Sequence, residues 1–266
     1  MLRDITIGQY YPGNSLIHRL DPRVKLVGTL LFIVSVFLFQ HPLGILLASI
    51  FLISYIALSK IPIKYILSGL KTILILLLFT SVFNLLFTPG DPIFHWGIIR
   101  ISVQGVKSTL FMMVRLIYLI LGTSVMTLTT TPNRLTDGME RLLWPLHFIK
   151  VPIHEIAMMM SIALRFIPIL VEETDKIMKA QIARGADFES GNFLKRAKNM
   201  IPLLVPLFVS AWRRATDLAM AMESRCYRGG EGRTKMKPLK YAGRDYLVYG
   251  VVLLYFTIMI FIKVVL

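Results

Sequence analysis

Five long apolar runs, separated by turn formers and basic clusters, constrain this chain more than any other feature of its sequence. The first, Leu26 to Phe39, is followed after Gln40, His41 and Pro42 by a second, Leu43 to Ser59. A third covers Thr72 to Thr88, a fourth Ser108 to Thr131 and a fifth Tyr246 to Leu266. A helix needs roughly 20 residues to cross a hydrocarbon core about 30 Å thick, so the first two runs must borrow flanking residues such as Val24 and Ile61. With 55% hydrophobic and only 17% charged residues, the composition excludes an ordinary soluble domain. The expected fold class is an all-α polytopic membrane protein with about five transmembrane helices. Two further apolar stretches are expected to lie at the membrane boundary or on protein. Ile156 to Val171 contains Arg165 and Pro168. Met200 to Trp212 would span only about 20 Å as a helix.

Charge sets the expected orientation. The net +15 comes from 30 Lys+Arg against 15 Asp+Glu, and in a membrane protein such an excess marks the cytoplasmic side. Arg3, Arg19, Arg23 and Lys25 precede the first span, Lys60, Lys64 and Lys71 lie between the second and third, and 19 more lie between Arg134 and Arg244. The other side holds Arg100, Lys107 and Lys263. This places the N-terminus and residues 132–245 in the cytoplasm and the C-terminus outside, in a multi-pass cell-membrane protein. Arg3, Asp4 and the polar stretch Gly8 to His18 do not read as a removable signal. Three segments follow: residues 1–131, an N-terminal cytoplasmic arm and four transmembrane helices; 132–245, a cytoplasmic domain of long amphipathic helices; and 246–266, the last transmembrane helix.

Between the third and fourth runs, residues 89–107 read as an external connector rich in turn formers, with Trp96 as an interfacial aromatic. Arg115 lies inside the fourth run, where a buried cation is costly. It reads equally as a functional group or as a side chain snorkelling to a headgroup.

Residues 132–245 are too long for a loop and too apolar for a disordered linker. From Phe193 through Ala197, Met200, Leu204, Phe208, Trp212, Ala215 and Leu218 to Met222, steps of three and four draw one apolar stripe, with Pro202 and Pro206 expected to kink or break the helix. An earlier amphipathic helix runs from about His154 to Ala183. The two end alike, the first at Ala183-Arg184-Gly185 and the second at Ser224-Arg225-Cys226, with the arginines 41 positions apart. One arginine at a helix end is explained by the helix dipole. Two suggest a bipartite docking surface, because the guanidinium fork suits a partner carboxylate. Met158, Met159, Met160, Pro168, Pro202, Leu203, Pro206, Leu207 and Trp212 form a second candidate surface, apolar and adaptable, as Met-rich contact faces are. Packing beneath the membrane bundle is the bland alternative for the same residues.

Catalytic and cofactor chemistry is not expected in this chain. One cysteine, Cys226, and five histidines exclude a disulfide framework and a structural zinc site. Gly229-Gly230-Glu231-Gly232-Arg233-Thr234 lacks the spacing and lysine of a phosphate loop and reads as a flexible turn. Acidic residues are almost absent from the five runs, which weighs against a self-sufficient proton- or sodium-driven carrier. Energy would then come from a separate ATPase.

Gly8-Gln9-Tyr10, with Ser15-Leu16-Ile17-His18-Arg19-Leu20-Asp21-Pro22-Arg23-Val24-Lys25, resembles the N-terminal signature of the transmembrane T component (EcfT/CbiQ-like) of energy-coupling factor (ECF) ABC transporters. Thr129-Thr130-Thr131-Pro132, Ala163-Leu164-Arg165-Phe166-Ile167-Pro168, Ala183-Arg184-Gly185-Ala186-Asp187 and Pro202-Leu203-Leu204-Val205-Pro206-Leu207 resemble its later motifs, and the likeness covers nearly the whole chain. The resemblance implies a non-enzymatic scaffold. It would join two ABC-type ATPase subunits, which bind ATP and Mg, to one or several small substrate-binding membrane proteins (S components) for vitamin or metal-ion uptake. It also implies that Arg184 and Arg225 dock on the ATPase pair, although Ser224 and Cys226 depart from the Ala-Arg-Gly pattern, and Cys in place of Gly removes an easy left-handed helix stop. Two other readings remain: a self-contained channel or secondary carrier whose path Thr80, Asn84, Arg115 and Thr123 would line, and a non-transport scaffold or membrane insertase meeting nucleic acid or ribosomes. Against the latter, residues 132–245 carry 19 basic and 12 acidic residues, a mixture suited to protein contacts rather than phosphate tracking.

Overall fold

The computed structural model of the chain describes residues 10–38, 41–89, 92–96, 99–188, 190, 192–230 and 234–265. Gly8 and Gln9 of the N-terminal signature and Glu231 to Arg233 of the glycine-rich turn lie outside these residues. The described chain is helical apart from one short hairpin. In order it forms α1 (Pro22–Leu38), α2 (Pro42–Ser59), α3 (Ile63–Phe87), β1 (Pro92–Trp96), β2 (Ile99–Ser102), α4 (Val103–Thr129) and α5 (Pro132–Leu143), then a 3-10 turn at Trp144–Ile149. It continues with α6 (Ile153–Ala183), α7 (Phe193–Asn199), α8 (Ile201–Ser224) and α9 (Gly243–Val265).

The apolar runs became helices close to the expected places, with two differences. α3 begins nine residues before the third apolar run, because Pro62 sets the turn ahead of Ile63, and it is bent by 54° between Ile63–Lys71 and Ile73–Phe87. The 89–107 connector contains an antiparallel hairpin pairing Phe94 with Ile101, His95 with Arg100 and Trp96 with Ile99. Phe94-His95-Trp96 and Ile99-Arg100-Ile101-Ser102 alternate apolar and polar residues on either side of Gly97 in the sequence, a β signal that the turn formers nearby obscured.

By length and composition, α2, α4, α6 and α9 can each cross a membrane, as can α3 if its bent halves are one span. α1 is described over only 17 residues. α6 is far longer than its apolar stretch Ile156 to Val171, and by length and composition it passes as a span despite Arg165 and Pro168, which the sequence had set against it. Glu172, Glu173, Asp175, Lys176 and Lys179 crowd its second half.

The chain forms two compact units. One comprises Gly8–Leu142 with Leu239–Leu266, the other Leu143–Pro238. In the first, α1 packs on α4 and α9, α3 on α4, and α2 on α4 and α9. Its core is Phe32 and Val36 of α1, Ala48 and Leu52 of α2, and Tyr255 and Met259 of α9. The Ser35 and Tyr255 hydroxyls hydrogen-bond at 2.7 Å within it, which matters where no water can satisfy a buried polar group. Outward positions such as Leu30, Ile53, Ile75, Leu110 and Leu254 are exposed, as lipid-facing residues of a helix bundle are.

The N-terminal signature ties this unit together. His18 Nε2–H donates to the Tyr11 carbonyl at 3.0 Å, leaving Nδ1 to accept from the Ser15 hydroxyl at 2.7 Å. Asp21 grips Arg23 through its backbone N–H and guanidinium, each at 2.9 Å. The Asp21 N–H donates to Asp245 Oδ1 at 3.0 Å, and Asp245 Oδ2 accepts from the Ala242 N–H at 2.7 Å, so one buried carboxylate joins the start of α1 to the start of α9. Lys25, buried in α1, donates to the Thr129 carbonyl at 3.0 Å and to the Thr130 hydroxyl at 3.1 Å, so two sequence motifs about a hundred residues apart meet here.

Candidate functional site

Residues 143–238 are built on α6 and α8, which pack against each other. Pro202 at the second position of α8 cannot donate a backbone hydrogen bond, and the chain breaks at Met200 into α7 and α8 rather than continuing as one helix. Pro168 lies inside α6 without ending it.

Three contacts fix the relative direction of the two helices. The Arg214 guanidinium forms an ion pair with Glu173 near the middle of both. Farther along α6, Gln181 Nε2 donates to the carbonyl of Pro202, which lies earlier in α8. Beyond the end of α8, Gly230 sits so close to His154 at the start of α6 that a Cβ there would come within 2.4 Å of the ring. Contacts that advance along α6 retreat along α8, so the helices run antiparallel. Arg184 lies 11 residues beyond Glu173, and Arg225 lies 11 residues beyond Arg214. Each arm extends about 16 Å from the pair, and the arms run to opposite ends. Arg214, with Ser210 second, holds the Glu173 carboxyl below the usual carboxylate range.

The tips share one geometry. At the end of α6, Gly185 N–H donates to Ile182 O at 2.9 Å and Ala186 N–H to Gln181 O at 2.9 Å. At the end of α8, Cys226 N–H donates to Glu223 O at 2.8 Å and Tyr227 N–H to Met222 O at 3.1 Å. Each set is the paired hydrogen bonding of a Schellman stop, with the arginine as the C-cap residue. Arg184 has φ −88° and ψ 5°, and Arg225 φ −91° and ψ 14°. Gly185 follows at φ 88° and Cys226 at φ 57°, so the cysteine makes the same left-handed stop despite its side chain. Ala183, Arg184, Gly185, Ser224, Arg225 and Cys226 are all exposed.

The apolar candidates separate by burial. Met159 and Met160 are exposed, as are Pro168, Pro202 and Trp212; Met158, Pro206 and Leu207 are half-buried. Leu203, at 5% exposure, is packed inside the unit. The open apolar face of α8 instead runs through Met200, Leu204, Phe208 and Trp212, with the Phe208 and Trp212 rings 6.3 Å apart. Leu204 and Phe208 were in the sequence stripe but not among the expected contact residues. A step of four overshoots a helical turn by about 40°, so this row drifts away from Leu218 and Met222. Those two, with Ala215, face Ile162, Phe166 and Leu170 across a groove of about 380 Å³. Among the described residues, no three His, Cys, Asp or Glu side chains are grouped to hold a metal.

Hydropathy, helix length and two separate helical units define a polytopic membrane protein whose non-bundle unit carries two exposed arginine tips. Residues 13–236 match the family model CbiQ, described as "Cobalt transport protein". Proteins named "Energy-coupling factor transporter transmembrane protein EcfT" are similar over nearly their whole length. The Clostridium kluyveri protein is 55% identical over 249 residues, 93% of this chain and 92% of that one. The Bacillus subtilis protein is 51% identical over 246 residues, 92% and 93% of the two chains. The Lactococcus lactis protein is 46% identical over 265 residues, 99% and 100%. The chain belongs to this family, the transmembrane proteins of energy-coupling factor transporters.

Proposed function

We propose that this protein is the scaffold and energy-coupling subunit of an ECF importer. Two ABC-type ATPase subunits, carrying the ATP and Mg, would engage the tips at Arg184 and Arg225. A small substrate-binding S component, specific for a vitamin or a metal ion, would rest on the apolar face that includes Met159, Met160 and Trp212, extended by Leu204 and Phe208. The chain itself performs no catalytic step in this reading. The asymmetry of basic residues supports a cytoplasmic N-terminus and coupling unit, with the C-terminus outside.

The observation that carries the reading is the antiparallel pair of equal arms. Two arginines at opposite ends of one helix pair suit two ATPase subunits rather than one, and each is held at the exposed end of a capped helix. Closure of an ATPase dimer on ATP would move both tips toward each other. The arms would then turn about the Glu173–Arg214 contact and shift the apolar face beneath the substrate-binding subunit.

Copurification of the tagged chain tests this directly. Two nucleotide-binding ABC subunits and at least one small membrane protein are expected with the wild type. Arg184→Ala with Arg225→Ala should lose the ATPases and retain the small protein, whereas Leu204→Ser with Phe208→Ser should do the reverse. Full uptake by the arginine double variant would overturn the proposal, as would transport by the purified chain alone.

A further inference from the structure

Between α5 and α6 the chain makes a short turn whose apolar side chains are open. The 3-10 turn Trp144–Ile149 follows α5 without an intervening residue, and Lys150 then turns the chain at φ 60° before α6 begins at Ile153. Phe148 is 86% exposed, Ile149 70% and Trp144 61%, with Leu143 and Leu146 also open. The Trp144 and Phe148 rings meet edge to face at 6.5 Å, so these groups form one patch. A continuous apolar patch of this kind marks a contact surface. Arg141, in the last turn of α5, and Lys150 bound it at either end, and both are exposed.

Two observations say what covers the patch. The first is its level. α5 packs across the start of α1, where a Cβ at Gly138 would come within 3.1 Å of Pro22 and 3.2 Å of Leu26. There Arg23 and Lys25 give way to the first apolar run, so α5 crosses the bundle at the rim of its hydrophobic span. Trp144 follows Gly138 by about 9 Å of helix, so the covalent chain starts the turn close to that rim. The second is its chemistry. Tryptophan, phenylalanine and aliphatic groups bounded by arginine and lysine suit a membrane–water interface, where rings enter the headgroup layer and cations reach lipid phosphates.

We propose that the Trp144–Ile149 turn is an interfacial anchor. Trp144, Phe148 and Ile149 enter the bilayer surface at the end of the bundle where α4 leads into α5, with Arg141 and Lys150 on the phosphates. The turn would hold the connection from α5 to α6 at the membrane surface. The proposal stands independently of the coupling function.

The test uses the full-length chain with Trp96→Phe and Trp212→Phe, which leaves Trp144 as its sole tryptophan. It is reconstituted into phosphatidylglycerol-containing vesicles whose phosphatidylcholine is brominated either near the headgroup end of the acyl chain or near the terminal methyl. An interfacial ring lies about 5–10 Å into the headgroup–acyl boundary, so the shallow bromines should quench Trp144 about twofold more than the deep ones. Adding Phe148→Ser and Ile149→Ser, both at exposed positions, should abolish most of that quenching and open Trp144 to acrylamide. Stronger quenching by the deep bromines, or quenching unchanged by the two serines, would overturn the proposal. Free access of acrylamide to Trp144 in vesicles of the chain alone, lost only when copurified ATPases or a small membrane protein are added, would also overturn it, by assigning the turn to a protein partner.

Discussion

Gly185 and Cys226 occupy the same left-handed position, one residue past the arginine that ends each long helix, and their amides close matching hydrogen bonds. Glycine adopts this conformation without steric cost, whereas a residue with a Cβ forfeits roughly 1 kcal/mol there. The α8 tip is therefore held less firmly than its chemistry allows. Cys226→Gly should stabilise it by about 0.5–1 kcal/mol, and Gly185→Ala should loosen the α6 tip by about 1–2 kcal/mol. Hydrogen exchange at the tip amides provides the readout. Slower exchange of Cys226→Gly at Tyr227 and faster exchange of Gly185→Ala at Ala186 are expected; unchanged rates would show that the turns are held by something other than the φ preference.

Arg184 and Arg225 project from capped ends, so their forks are presented with little backbone freedom. Lysine keeps the charge but loses the paired donors. Arg184→Lys and Arg225→Lys should bind the proposed ATPases at low ionic strength and release them as salt rises, because a point charge is screened more readily than a bidentate contact is broken. Pull-downs across a potassium chloride series measure this, and identical salt profiles for Lys and Arg would remove the fork from the docking model.

The helices were legible in the sequence because membrane spans require long apolar runs, and the break before α8 because Pro202 forbids its continuation. The two arginine tips were legible as text, through their repeated pattern. Their geometry was not: Cys226 hides a left-handed stop that only backbone φ reveals, and the opposed direction of the tips depends on Glu173 meeting Arg214, a contact 41 positions apart. Choosing Leu203 over Leu204 as a surface residue failed for the same reason. Neighbours on one helix differ by about 100° in direction, and only the packing of α6 decides which of them faces inward.

The Glu173–Arg214 pair lies at the crossing of the two arms and is partly open to solvent. A double-mutant cycle with Glu173→Gln and Arg214→Gln should give a small favourable coupling that weakens as salt rises. Because the folded-state pKa of Glu173 is depressed, the pair's contribution is complete above the ordinary carboxylate pKa and is lost as pH falls through the lower folded value. Unfolding midpoints of the wild type should thus drop at acidic pH more than those of Glu173→Gln. Parallel pH profiles for the two proteins would remove the pair from the stability of the crossing.

Asp245 offers the sharpest test of how the transmembrane unit is tied together. Its two oxygens accept from the Asp21 and Ala242 amides, and the residue is 1% exposed, so no water can replace a lost acceptor. Asparagine keeps one oxygen and turns an N–H₂ group toward the other amide, leaving a buried donor unpaired at a cost of about 1–3 kcal/mol; alanine strands both. The expected order of thermal unfolding midpoints in detergent is wild type, then Asp245→Asn, then Asp245→Ala. Asp21→Asn keeps its own backbone amide and should leave the Asp245 junction standing while loosening Arg23, so its defect should add to that of Asp245→Asn rather than be absorbed by it. An Asn variant as stable as the wild type would mean that the junction between α1 and α9 is held by packing, with the carboxylate incidental.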